Sequence, residues 1–199
     1  MKQQPLITLV LFLLASPIGA QDYDTAVAAN ERGDYITALK HLTPLAENGF
    51  AEAQALLGAM YAQGRGMPPD PAEAIRWFRK GIEQGNHWAQ HNLGFMYAQG
   101  QGVLQNDYEA AKWFRKAANQ GNADAQSNLG VMYSTGRGVP RDFLLAYIWL
   151  SVASANGAKF ASENRKIITE RLTKDELKKA RAISNRCFKN PNNCPNSIY

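Results

Sequence analysis

A five-residue phrase recurs at one fixed interval. Leu57-Gly58-Ala59-Met60-Tyr61 returns as Leu93-Gly94-Phe95-Met96-Tyr97 and as Leu129-Gly130-Val131-Met132-Tyr133, 36 residues apart each time. A period of this length denotes helical hairpins, each too small to bury its own apolar face and therefore obliged to stack. The framework around the phrase repeats in register. Gly64-Arg65-Gly66, Gly100-Gln101-Gly102 and Gly136-Arg137-Gly138 follow it. Ala74, Ala110 and Ala146 come next, then Trp77, Trp113 and Trp149, and Gly85, Gly121 and Gly157 close each unit. Tryptophans locked to the repeat serve packing between units rather than a sugar platform.

Each unit reads as two helices. In residues 50–85 the first begins near Phe50, carries Ala53, Leu57, Met60 and Tyr61 on one face, and stops at Gly64. Asp70 is placed as an N-cap with Pro71 at the first helical position, and the second helix carries Ala74, Ile75, Trp77, Phe78 and Ile82. Residues 86–121 and 122–157 repeat the plan. Residues 21–49 form a shorter unit without the Gly-x-Gly turn, more like a tetratricopeptide hairpin, and fit an N-terminal cap. Beyond Gly157 the repeat fades into a hairpin over 158–188, where Thr173 and Glu176 have capping-box spacing, and a tail over 189–199. Arg76, Arg79 and Lys80, matched by Lys112, Arg115 and Lys116, become Ile148, Ser151 and Val152 in the last repeat. A basic face has turned apolar, which predicts that the C-terminal hairpin covers it.

The first twenty residues differ from the rest. Lys2, the apolar run Leu6 to Leu14 and the Pro17, Gly19, Ala20 ending read as a secretory signal peptide cut between Ala20 and Gln21. The run falls short of the roughly 20 apolar residues that span a bilayer, so the mature chain is expected to have no transmembrane segment. No Cys follows the cut, so no lipid anchor is expected. A periplasmic or secreted location follows, and there the close pair Cys187 and Cys194 reads as a disulfide. Charge divides near Gly157: residues 158–199 hold ten Lys/Arg against four Asp/Glu, and 21–157 hold eleven against thirteen. The basic end reads as a solvated cap helix, the alternative being a face for an anionic partner such as a membrane surface, a polyanion or an acidic protein. Export, and basic residues without interleaved aromatics, argue against nucleic acid.

The pattern Ala-x-x-Leu-Gly-x-Met-Tyr-x-x-Gly-x-Gly, then Asp or Asn, then Ala-x-x-Trp-Phe, then Gly, in three registered copies over about 50–157, resembles the Sel1-like repeat (SLR) family, relatives of the tetratricopeptide repeats. The last copy departs, with Leu150 where Phe78 and Phe114 stand. The resemblance implies an all-α, right-handed solenoid of antiparallel hairpins and a role as adaptor or scaffold, in exported members for envelope assembly, secretion or host contact. One small group belongs to sodium-driven flagellar motors. A cysteine-rich subgroup is linked to penicillin binding, but this chain lacks that subgroup's cysteine pair in each repeat.

No Ser-x-x-Lys, Gly-x-Ser-x-Gly, His-Glu-x-x-His or phosphate loop occurs. His87 and His91 share a helix face, but two ligands fall short of a zinc site, and His91 is expected on the exposed side of its helix. No catalytic residue, metal or cofactor is assigned. The leading expectation is a non-enzymatic module that holds a protein or peptide on the concave face made by the first helices. A cell-wall-active or β-lactam-binding hydrolase and a structural ring component are the alternatives. The candidate contact residues vary between repeats while the framework does not: Glu52, Ala55, Leu56 and Ala59; Trp88, His91, Asn92 and Phe95; Asp124, Ser127, Asn128 and Val131. Trp88 stands where Glu52 and Asp124 stand in its neighbours, positions that read as exposed, so it reads equally as a binding anchor or as a local packing residue. Asn92 and Asn128 share one repeat position, where stacked amides could bond an extended backbone or bridge repeats.

Overall fold

A computed structural model describes residues 17–190 together with 194 and 195. Within them the chain forms ten α-helices and no strand. Hairpins pair α1 (Pro17–Glu31) with α2 (Tyr35–Glu47), α3 (Ala51–Gln63) with α4 (Pro71–Glu83), α5 (His87–Gln99) with α6 (Asp107–Asn119), and α7 (Ala123–Thr135) with α8 (Phe143–Ala155). α9 (Ala161–Thr169) and α10 (Lys174–Lys189) follow. Each hairpin packs on the next, giving an α-solenoid. Most of the leader-like segment, residues 1–16, lies outside the described residues; the expected cut after Ala20 falls inside α1. Among the described residues no helix is long and apolar enough to cross a membrane.

The repeated residues explain the repeated geometry. Asp70, Asn106 and Asp142 cap their helices by accepting from backbone N–H groups one turn in. Their own N–H groups donate to the carbonyls of Tyr61, Tyr97 and Tyr133, each at 2.9 Å, which closes the interhelix loop identically three times. The helical glycine of the phrase lets the two helices of a hairpin meet. A Cβ on Gly58 would lie 2.7 Å from the Phe78 ring, and one on Gly130 2.7 Å from Leu150. Large residue therefore sits on missing side chain, which is close packing by subtraction. The second glycine of the turn abuts the preceding hairpin: a Cβ on Gly138 would fall 2.0 Å from the Asp107 carbonyl oxygen.

A polar ladder threads the stack. Gln54 donates to the Ala46 carbonyl (3.0 Å) and accepts from Gln84 (2.9 Å); Gln126 donates to Ala118 (3.0 Å) and accepts from Asn156 (2.9 Å). Gln90 accepts from Gln120 at 2.8 Å. Each buried amide thus ties the end of one hairpin to the start of the next, with both its oxygen and nitrogen used.

The tryptophans differ in burial. Trp77 and Trp149 are buried, whereas Trp113 keeps a partly exposed face. Cations cover what is left of the first and third: Lys80 Nζ lies 4.3 Å and Arg76 Cζ 4.6 Å from the Trp77 ring centre, and Lys116 Nζ lies 4.4 Å from that of Trp113. Trp149 needs no such cover. α8 is apolar all round, and α9 and α10 pack on it so that Ile148 and Val152 are buried. α10 opens with the Thr173–Glu176 capping box. Cys187 and Cys194 are both buried with Cα atoms 4.9 Å apart, within disulfide reach.

Candidate functional site

The first helices α3 and α5 pack directly on each other, more closely than the second helices α4 and α6 do, and they form the inner wall, on which the candidate residues lie. Two cavities open on it. One, of about 270 Å³, lies between α1, α3 and α5 and is lined by Tyr23, Val27, Glu31, Glu52, Leu56 and Trp88, with Ala55, Ala59, Asn30 and Asn92 completing it. The second, about 340 Å³, is bounded by Phe78, Phe95, Met96 and Gln101, and shares Ala59 and Asn92 with the first. The two are therefore one groove. Trp88 stands 48 % exposed beside it, Phe95 43 % and Val131 37 %. Surface aromatics held on rigid helices beside a preformed hollow are the usual makings of a binding anchor.

The expected residues divide into three groups. Glu52, Leu56, Ala59, Trp88, Asn92 and Phe95 line the groove. Ala55 lines it too, although its side chain is buried. Asp124, Ser127, Asn128 and Val131 continue the inner wall on α7 but line neither cavity. His91 departs from the expected exposed position. It is half-buried against the Phe114 ring (5.6 Å between ring centres), and its Nε2 lies 3.1 Å from Asn128 Nδ2. The reason is stacking: Phe114 of α6 and Asn128 of α7 reach that flank of α5. Asn128 thus bridges repeats through His91. His87 is engaged likewise, its Nδ1 3.1 Å from Asn122 Nδ2. Burial pulls both imidazoles below their ordinary pKa, so both are neutral at pH 7. Among the described residues no three His, Cys, Asp or Glu side chains gather as metal ligands do.

Four groove residues come from α1: Tyr23, Val27, Asn30 and Glu31. The periodic pattern missed them because the first hairpin lacks the phrase that sets the register. A different signal does reach them. The stretches forming the inner helices, 21–31, 50–63, 86–99 and 122–135, contain no Lys or Arg and five acids: Asp22, Asp24, Glu31, Glu52 and Asp124. The outer helices α4 and α6 hold six basic residues, and an outer cavity of about 330 Å³ is lined by Lys112, Arg115 and Lys116. No Lys or Arg lines either inner cavity; the loop residue Arg65 reaches Asn30 (3.1 Å) from the groove's edge. Burial, and after it the Glu52 and Asp24 carboxylates, raise the Tyr23 phenol above its ordinary pKa.

This architecture of stacked helical hairpins is that of a helical-repeat protein. The Sel1 repeat family model matches residues 51–86, 89–122 and 123–157. The chain belongs to the Sel1 repeat family, whose repeats are generally protein-interaction modules. Among solved structures it is similar to a protective antigen present in uropathogenic Escherichia coli strains, which displays an SLR fold, with 36% identity and a TM-score of 0.77 over 86% of this chain and 38% of that one. It is also similar to a Sel1 repeat protein from Oxalobacter formigenes, at 32% identity and a TM-score of 0.65, covering 73% of this chain and 60% of that one. The chain thus spans less than two thirds of either structure's length. Comparison with curated proteins gave no match.

Proposed function

We propose that this protein is a non-enzymatic binding module of the bacterial envelope, which holds an extended segment of a partner protein in the groove between α1, α3 and α5. The observation that carries the reading is Trp88, half exposed on a rigid helix at the lip of an apolar hollow. An exposed indole costs stability in water and gains most when a partner covers it. The envelope location rests on the leader-like residues 1–20.

The test is site-specific photo-crosslinking in intact cells, with the photoreactive residue at position 88, at 95, or at the outer-face position 79. One discrete adduct, shared by positions 88 and 95, absent at 79, and recovered with the periplasmic fraction, is expected. Its loss in Trp88→Ala, when the crosslinker is at 95, ties it to the groove. Equal adducts from position 79, or none from 88 and 95, would overturn the reading.

A further inference from the structure

From the division of charge between the two walls, we infer that the segment held in the groove is cationic, carrying Lys or Arg beside an apolar or aromatic anchor. The inference rests on the groove reading above and specifies its occupant.

The argument begins with desolvation. Glu31 and Glu52 line the same hollow as Tyr23, Val27, Leu56 and Trp88. Both glutamates are exposed at the rim, and an occupant that fills the hollow displaces part of the water around their carboxylates. An apolar occupant leaves them unpaired, which is costly, and an acidic occupant adds repulsion in a partly dry site. Neutral N–H or O–H donors compensate them in part, and a cation does so most strongly. No internal cation does so, since neither cavity is lined by Lys or Arg and neither Glu31 nor Glu52 takes part in an ion pair among the described residues. Contrast the outer wall, where Glu73 is paired with Arg76, and Glu109 with Lys112 at 3.0 Å. Glu73 and Glu109 are thus neutralised within the outer wall, while Glu31 and Glu52 beside the groove have no such ion pair among the described residues.

Trp88 fits the same occupant. Its helix position is flanked, one repeat to either side, by Glu52 and Asp124. An indole that shares a hollow with Glu31 and Glu52 attracts a guanidinium or ammonium by its quadrupole and by charge together. The hollow beneath, walled by Val27, Ala55, Leu56 and Ala59, receives the neighbouring apolar side chain.

The experiment is selection of short random peptides displayed on phage against the full mature protein, with Glu31→Gln/Glu52→Gln and Trp88→Ala as comparisons and Arg79→Gln as the outer-wall control. Far-UV circular dichroism checks that each variant folds. Selected peptides are expected to carry Lys or Arg next to Trp, Phe or Leu. Their affinity, read by the fluorescence shift of the exposed Trp88, should fall about tenfold in the double Gln variant and weaken with salt, as for one or two partly desolvated charge pairs. It should be unchanged in Arg79→Gln. Trp88-dependent peptides devoid of Lys and Arg would overturn the cationic occupant while leaving the groove reading intact. Absence of any Trp88-dependent peptide would overturn both. A dimer of the protein alone that dissociates in the double Gln variant would place a second copy in the groove and overturn the separate cationic partner.

Discussion

Gly138 carries more of the fold than its size suggests. Its φ is +67°, and a Cβ there would meet the Asp107 carbonyl at 2.0 Å and the Tyr108 nitrogen at 2.8 Å. Both obstacles are backbone, so the clash cannot be relieved by a rotamer change. Gly121 has φ +90° but open space around it. Comparison of Gly138→Ala with Gly121→Ala therefore separates two costs. The second should lose about 1 kcal/mol, the ordinary penalty of left-handed backbone. The first should lose about 3 kcal/mol or more, since the loop must lift from the preceding hairpin. Urea unfolding of both variants checks the difference. At this scale the sequence spoke for position but not for cause. The Gly-x-Gly turn was legible as a helix stop, yet the contact that forbids a side chain at Gly138 is made by a residue from the previous repeat.

Between elements, the buried glutamines do what apolar packing alone cannot. Leucine and alanine faces tolerate sliding, because burial is non-directional. An amide that must meet a named carbonyl on one hairpin and a named amide on the next sets the register. Gln126 is wholly buried and does both, through Ala118 and Asn156. Gln126→Ala should cost about 2–4 kcal/mol, from two lost hydrogen bonds, an unpaired buried partner and a small void. Calorimetry would register it as a lowered melting temperature, and hydrogen exchange as faster opening at the α6–α7 junction. The Ala-Gln pair was visible as a recurring dipeptide at 53–54, 89–90 and 125–126. Its role was not, since the partners Gln84, Gln120 and Asn156 lie 30 residues on in each case. His91 teaches the same lesson. Helical spacing placed it on an outward face, but stacking put Asn128 and Phe114 over it.

For the molecule as a whole, the decisive asymmetry is at the C-terminal end. Repetition would continue the solenoid indefinitely, leaving each terminal hairpin with a bare face. Here α8 abandons the basic outer face of α4 and α6, and α9 and α10 cover the apolar surface that results. Ending the chain at Gly157 should expose Leu145, Ile148 and Val152 together. The truncated protein is expected to bind a hydrophobic dye, to associate, and to lose a sharp unfolding transition. A monomeric truncation with an unchanged melting temperature would contradict the capping role.

A fixed 36-residue recurrence was enough to determine hairpins, their stacking and the positions of turns, because those follow from local periodicity and from the inability of one hairpin to bury itself. The substitution of Ile148, Ser151 and Val152 for basic residues likewise announced a covered face. The α3 and α5 side of the groove was legible from positions that vary within a fixed framework, but its α1 side belonged to tertiary structure. Tyr23 and Glu31 meet Glu52, Leu56 and Trp88 only after stacking brings three helices from separate units around one hollow. The charge of each helix can be counted along the chain, but which helices face inward depends on how closely first and second helices pack, and that is settled by side-chain volumes across repeats rather than by order within them.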